Sequence, residues 1–234
     1  MWTHNATSRT KAFLNLQRKE TQKMSFIPVE HSTGTRSSLA LPFLQKAAPL
    51  PILHFASDAE IFAEGDDANF VYRVKIGVVR TCKYSADGRR IVDAFYGRGQ
   101  MFGLTLGSEH GLCAEAVTDC RLVPYRRHAL EDVSGPTVYA EAMRELERAR
   151  QHAHVLSGYS AVQKLASFLL ELSVGGIGLV ELPMTRQDIG DYLGLTIETV
   201  SRTLAQLEKN GIIDLPAVRR VSLLNYAALR KLCN

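Results

Sequence analysis

The stretch TRQDIGDYLGLTIETVSRTLAQLEKNGII, Thr185 to Ile213, decides how this chain is read. It opens on Thr185 with Asp188 three residues on, the spacing at which a cap hydroxyl and a carboxylate satisfy each other's backbone amides. Helical periodicity runs to Leu193 and stops at Gly194, a residue that tolerates left-handed backbone. Thr196 can cap a second helix. In that helix Val200, Leu204 and Leu207 fall at i, i+4 and i+7 and are expected to face a core. Glu198, Ser201 and Arg202 fall at i, i+3 and i+4 and share another face. Gly211 ends the helix. Two short strands are expected around Ile212–Leu215 and Arg220–Leu223, flanking Pro216-Ala217-Val218, and Asn225 can cap a terminal helix through Leu232.

Two short helices joined by a tight glycine turn and followed by a small hairpin make a winged helix-turn-helix plan. The polar face lies in the first turns of the second helix, the part that enters a major groove. Its residue types suit base edges. Arg202 can bond guanine O6 and N7 with its fork, Glu198 can accept from cytosine N4, and the short Ser201 can meet a donor or an acceptor. The competing reading is a solvated face with a Glu198–Arg202 ion pair, worth about 0.2–0.5 kcal/mol. Spacing alone does not separate the two; the helix-turn-helix context favours DNA. Contacts to the DNA backbone are expected from Thr185, Thr196 and Thr199, and from Arg219 and Arg220 beside the wing.

Upstream, from about Leu53, the pattern is β. Phe70–Val74, Val78–Tyr84, Ile91–Tyr96, Cys113–Val117 and Arg121–Tyr125 carry β-branched and aromatic residues. Turn signals separate them, among them Ile76-Gly77, Gly97-Arg98-Gly99 and the Asp87-Gly88 pair, a strong hairpin signal. Short strands at near-regular spacing imply an antiparallel roll or barrel.

Between Pro136 and Ser160, Tyr139, Ala142, Leu146, Ala149, Ala153 and Leu156 step by three and four, a heptad seam. The seam can pack on the roll or against a second identical helix. The small alanines suit close approach of two helices, so a dimer helix is the favoured reading.

The chain has 234 residues, enough for one large domain or two modest ones. Its net charge of +4 is unevenly spread. Basic residues outnumber acidic ones seven to two over 1–50, trail them thirteen to fifteen over 51–158, and lead eight to seven over 159–234. A bulk basic field therefore does not argue for nucleic acid, and the case rests on placed residues. No apolar run is long enough for a membrane span. The N-terminus lacks the apolar core of a secretory signal, so a cytoplasmic protein with reduced thiols is expected. Residues 1–23 are basic and nearly acid-free and read as a floppy tail, with Met24 an alternative start. Cys82, Cys113, Cys120 and Cys233 have no metal-cassette spacing. No Ser/His/Asp, metal or phosphate-loop arrangement appears, so neither an enzyme nor a bound cofactor is expected.

The segment TRQDIGDYLGLTIETVSRTLAQLEKNGII resembles the signature of the CRP/FNR family of bacterial transcription regulators. The glycines of the roll (Gly77, Gly88, Gly99), the long helix and the winged module follow in that family's order over roughly residues 50–232. The resemblance implies that Glu198 and Arg202 read a G·C pair. A serine before that arginine, as Ser201 stands here, is FNR-like and implies TTGA-type half-sites.

Cyclic-nucleotide binding in this family needs a Gly-Glu pair and an Arg-Ser pair. In Met101–Val117, MFGLTLGSEHGLCAEAV, Gly103 is followed by Leu104 and no Arg-Ser occurs. An anionic phosphate would lack its arginine there. His110 is the nearest cation and reads as a loop or surface residue. Oxygen-sensing members hold an iron–sulfur cluster with N-terminal cysteines plus one internal cysteine. Cys120 lies near the internal position, but no cysteine precedes Cys82, so Cys120 reads as a small buried hydrophobe.

With both sensor signatures missing, and with GLTLGSEHGLCAEAVTDC at 103–120, the chain resembles the FixK-like branch. That implies a regulator, an activator by resemblance, of low-oxygen respiration or nitrogen-fixation genes. Its partners would be a palindromic DNA site, RNA polymerase and a second copy of itself. The chain departs from the pattern at Gln100, where Asp is usual, and at Ile197. The alternative is a CRP-type regulator that answers a small cyclic-nucleotide-like ligand. The expected fold is α+β: an N-terminal extension over 1–49, a β-roll over 50–134, a dimerisation helix over 135–158 and the winged helix-turn-helix over 159–234.

Overall fold

The computed structural model describes residues 50–128, 135–173 and 178–233. The expected N-terminal extension, residues 1–49, lies outside the described residues.

Eight strands come first: β1 (Leu53–Phe55), β2 (Glu60–Phe62), β3 (Phe70–Ile76), β4 (Val79–Tyr84), β5 (Arg90–Tyr96), β6 (Met101–Phe102), β7 (Cys113–Ala116) and β8 (Cys120–Arg126). They form two four-stranded antiparallel sheets, ordered β1-β8-β3-β6 and β2-β7-β4-β5. Alternation decides which side chains meet between them. Val74, Val79, Phe102, Ala114, Ala116, Cys120 and Leu122 are buried there. Phe62, Tyr72 and Phe102 stack at centroid distances of 5.4–6.1 Å.

Two turns fix the register. Gly77 joins β3 to β4 at φ +90°, and a Cβ there would stand 2.4 Å from the Asp119 carbonyl oxygen. No other residue fits without displacing that strand end. At the β4–β5 hairpin, the Gly88 amide donates to Ser85 O (2.8 Å) and the Ser85 amide to Arg89 O (2.9 Å). Cys120 is buried, and its single S–H has two carbonyls within reach, Val78 O (3.2 Å) and Thr118 O (3.1 Å).

His110 was expected to be a loop or surface residue; it lies in a loop but not at the surface. It is 4% exposed and stacks on Phe62 at 3.7 Å between centroids. Its loop folds back because the His110 amide donates to Asp66 O and the Gly65 amide to His110 O, each at 2.8 Å. These pairings are non-local, and no local pattern announces them.

Helix α1 (Gly135–Gly158) has the reverse of the usual amphipathic orientation. Its inward side is polar. Glu141 is 7% exposed, and Glu145, Arg148, His152 and Val155 are half-buried. Partners satisfy these groups: Tyr96 Oη donates to Glu145 Oε2 (3.3 Å), and the Arg148 guanidinium lies over the Tyr96 ring. His152 Nε2 bonds Tyr192 O (2.9 Å) while its ring stacks on Tyr192. The apolar seam lies beside that polar side: Tyr139, Ala142, Leu146, Ala149, Ala153 and Leu156 are all exposed, and Ala142, Leu146 and Ala149 border a cavity shared with the roll.

The C-terminal module comprises α2 (Ala161–Leu172), β9 (Gly178–Glu181), α3 (Arg186–Leu193), α4 (Ile197–Lys209), β10 (Ile213–Ala217), β11 (Arg220–Leu223) and α5 (Tyr226–Leu232). Its strands form a sheet ordered β10-β11-β9. The wing therefore has a third strand that Gly178–Glu181 did not announce. Pro216 and Ala217 lie within β10, so the wing turn falls at Val218-Arg219 and not across all three expected residues. Leu165, Leu169, Ile189, Leu193, Leu204, Leu207, Ile213, Leu223 and Leu229 make a core at 1% exposure or less. Among the described residues no helix is long and apolar enough to cross a membrane, and no cluster of three His, Cys, Asp or Glu could hold a metal ion.

Candidate nucleic-acid interface

The interface is built on α3 and α4. Thr185 caps α3 through a capping box: its hydroxyl accepts from the Asp188 amide (3.1 Å) and donates to Asp188 Oδ2 (2.8 Å). Gly194 closes α3 in the left-handed conformation, φ 63°, with the Leu195 amide donating to Gly190 O at 2.9 Å. A Cβ on Gly190 would meet Leu195 O at 2.7 Å, so the turn hugs the helix only because that position is bare. Thr196 then caps α4, accepting from the Thr199 amide at 3.2 Å.

α4 is sharply two-faced. Val200, Leu204 and Leu207 are at most 1% exposed. Glu198 and Arg202 are exposed and Ser201 is half-buried. Among the described residues no ion pair joins Arg202 to Glu198, so the ion pair of the competing reading is not formed, while both side chains remain exposed. The Glu198 carboxyl is held below its ordinary pKa by its own backbone amide and by the Thr196 hydroxyl, so it is an anion well below neutral pH. An ionised acceptor and a free guanidinium thus stand one turn apart at the start of the helix.

The expected backbone-contact residues are less uniform. Thr196 and Thr199 sit at the α4 start, their hydroxyls 3.1 Å apart. Thr185 is exposed, but its hydroxyl is engaged by the cap. Arg219 and Arg220 are exposed on the wing. Arg219 Nη1 donates to Pro183 O (3.4 Å), and Arg220 Nη2 pairs with Glu181 Oε1 (3.5 Å) across the sheet. Both pairs are solvent-exposed and cost little to exchange for phosphate.

Arg186 was not singled out in the sequence. It lies in the first turn of α3, and its Nη1 donates to Ser201 Oγ at 3.1 Å, orienting that hydroxyl from outside its own helix. Its Nε is buried and has no hydrogen-bond partner among the described residues. A basic residue one place after an N-cap gives no local signal of this reach.

The roll carries a separate cavity of about 750 Å³. Phe62, Met101, Phe102, Leu104 and Leu112 give it apolar walls, and Asp93, Glu145 and Arg127 border it. Burial pushes the Glu145 carboxyl above its ordinary pKa despite neighbouring Arg148. Arg127 donates to the carbonyls of Leu106 and Gly107. A bound phosphate would meet two carboxylates as well as this engaged guanidinium.

A β-roll, a long helix with an exposed apolar seam and a capped, two-faced reading helix define a DNA-binding regulator. Comparison with known proteins agrees. Residues 52–134 match the cyclic nucleotide-binding domain and residues 163–232 the Crp-like helix-turn-helix domain. Nitrogen fixation regulation protein FixK of Azorhizobium caulinodans is 44% identical over 191 residues, 76% of this chain and 77% of that protein. The protein of the same name from Rhizobium meliloti is 40% identical over 190 residues, 80% of this chain and 90% of that one. The structure of FixK2 from Bradyrhizobium japonicum superposes with a TM-score of 0.74 at 39% identity, covering 79% of this chain and 97% of that chain. The chain belongs to the CRP/FNR family of DNA-binding transcription regulators, and the relatives it matches are regulators, not enzymes.

Proposed function

We propose that the chain acts as a homodimer on a TTGA-type palindrome, as an activator of low-oxygen respiration or nitrogen-fixation genes in the cytoplasm. One observation carries the DNA-reading part: α4 buries Val200, Leu204 and Leu207 and leaves Glu198, Ser201 and Arg202 on its outer side. Arg202 takes guanine O6 and N7, Glu198 takes cytosine N4, and Ser201 is aimed by Arg186. Thr196, Thr199, Arg219 and Arg220 lie where phosphates would flank the groove, with Thr185 the least available of that set.

The exposed seam of α1 supports the dimer. A helix that packs its polar side inward and exposes Tyr139, Leu146 and Leu156 at 66, 42 and 38% offers an apolar strip to a second copy. Two-fold pairing places two reading helices on successive grooves, and the palindrome follows from that symmetry. The gene class rests on the FixK relatives, and RNA polymerase is the partner an activator requires. The domain division is the one drawn from the sequence: 1–49, 50–134, 135–158 and 159–234.

Selection of bound sequences from random DNA tests this reading. Enrichment of TTGA…TCAA is expected; enrichment of a non-palindromic element, or none, contradicts it. The cavity in the roll favours a second reading, a regulator answering a small ligand. Its carboxylates Asp93 and Glu145 oppose a cyclic nucleotide. Calorimetry with cyclic AMP checks this, and micromolar binding would revive the ligand reading.

A further inference from the structure

The roll and the DNA module meet through a buried ion cluster whose members lie about a hundred residues apart in sequence. On the roll side Arg80, in β4, is 7% exposed. Its guanidinium reaches Glu115 Oε2 (2.7 Å), Asp58 Oδ1 (3.5 Å) and, across the boundary, Asp188 Oδ1 (3.2 Å). Arg90, at the start of β5, reaches Asp188 Oδ1 (2.5 Å) and Asp191 Oδ2 (2.8 Å) and lies 3.9 Å from Glu115. Tyr84 Oη donates to the other oxygen of Glu115 (2.9 Å). Asp188 and Asp191 sit at i and i+3 of α3, so one helix face presents both carboxylates to the two arginines.

Charges this buried are tolerated only when fully paired, and removing one partner leaves the other stranded. Asp188 is also the carboxylate of the α3 capping box. Burial pushes its carboxyl up, but Thr185 and the two arginines outweigh that and hold it below the ordinary range. The same first turn of α3 carries Arg186, which bonds Ser201 on α4. The first turn of α3 is therefore held on one side by the roll, through Asp188, and on the other bonds the face of α4, through Arg186.

We propose that Arg80 and Arg90 are positioning residues for DNA reading: by gripping Asp188 and Asp191 they fix the orientation of α4 relative to the roll and α1, and with it the separation of the two reading helices in a dimer. The inference rests on the homodimer-on-palindrome reading above. It assigns the spacing between half-sites to a contact that touches no DNA. The other ties are the α1–α2 junction, the His152 bond and stack on Tyr192, and apolar packing such as Phe95 against Tyr192 (5.4 Å); none of these engages the carboxylates of α3.

The test measures affinity of the full chain for the selected palindrome and for versions with one base pair added or removed at the centre. Proteins compared are wild type, Arg90→Ala, Asp191→Ala, the double variant and Arg90→Lys. Arg90 and Asp191 are used because neither belongs to the capping box. Wild type is expected to prefer the native spacing. Each alanine variant is expected to lose at least about fivefold on the native spacing and little on the altered ones, so that spacing discrimination narrows. The double variant should fall no further than the worse single one, and Arg90→Lys, which keeps the charge, should recover discrimination. Unchanged discrimination in the variants overturns the proposal. So does a loss of equal proportion on every spacing, the signature of a module that merely folds less well, and so does tighter binding than wild type. A wild type with no spacing preference overturns the palindrome reading and this inference together.

Discussion

Leu146→Glu is expected to dissociate the proposed dimer without unfolding the chain. Leu146 is 42% exposed, in the middle of the exposed seam of α1. Full burial of a leucine is worth about 1.5–3 kcal/mol, so covering the exposed share contributes about 0.6–1.3 kcal/mol per copy. An isologous interface counts it twice, giving about 1.3–2.5 kcal/mol. The dissociation constant should rise about ten- to seventyfold from this alone. Two carboxylates brought toward a shared axis add repulsion on top. Fold stability of the single chain should move little, because the side chain is partly exposed at the lining of the open roll cavity and glutamate is a good helix former. Sedimentation equilibrium reads the mass, and circular dichroism with a thermal ramp reads the fold. An unchanged dimer would refute the seam as the interface. A variant that unfolds at the dimer's own concentration would instead make Leu146 a core residue, against its exposure.

Two further outcomes follow from the roll. Gly77→Ala should destabilise the chain by at least about 2 kcal/mol in urea denaturation, since the Cβ would stand 2.4 Å from the Asp119 carbonyl at φ +90°; a loss under about 0.5 kcal/mol would contradict the close approach. His110 and His152 both have pKa values pushed below the usual 6.5, burial being the largest cause for each. Folding then favours the neutral rings, so their contribution is complete above about pH 6.5 and is lost as the pH falls through the depressed values. The thermal midpoint should drop between about pH 7 and pH 5, and His110→Phe, which keeps the stack on Phe62, should flatten that slope; an unaltered slope would count against a buried neutral His110.

The parts of the fold set by local chemistry were readable in advance. Thr185, Thr196 and Asn225 cap the helices they were expected to cap, because a cap is decided within three residues. The faces of α4 and the spacing of the α1 seam follow from helical period alone. Strands of two to four residues, such as Glu60–Phe62, Met101–Phe102 and Gly178–Glu181, carry too few positions for alternation to show. Pro216 read as a turn residue, yet it sits in β10, where the register shifts between Asp214 and Ala217 and the strand tolerates a missing donor.

Long-range polar contacts were the least readable. His110 looked exposed because nothing nearby in sequence says that Phe62 will cover it. Arg80 and Arg90 carry no local signal in the sequence, and their partners Asp188 and Asp191 lie in another module. Asp188 had been seen only as half of a capping box; that it also meets two guanidinium groups is a property of packing. Of the candidate interface residues, Glu198, Ser201 and Arg202 were visible as a helical face. Arg186 was not, since its value comes from Ser201 lying across a turn.

The central claim is that Arg202 reads a base. Arg202→Ala leaves stability within about 0.5 kcal/mol, because the side chain is exposed and holds no ion pair to Glu198 among the described residues. The deciding measurement is its affinity for the selected palindrome and for the same palindrome with the contacted G·C pairs exchanged for A·T. Wild type should discriminate between them by about 1–3 kcal/mol per half-site. Arg202→Ala should bind the first more weakly and lose most of that preference; a variant that weakens on both sites equally and keeps the wild-type preference would contradict the account.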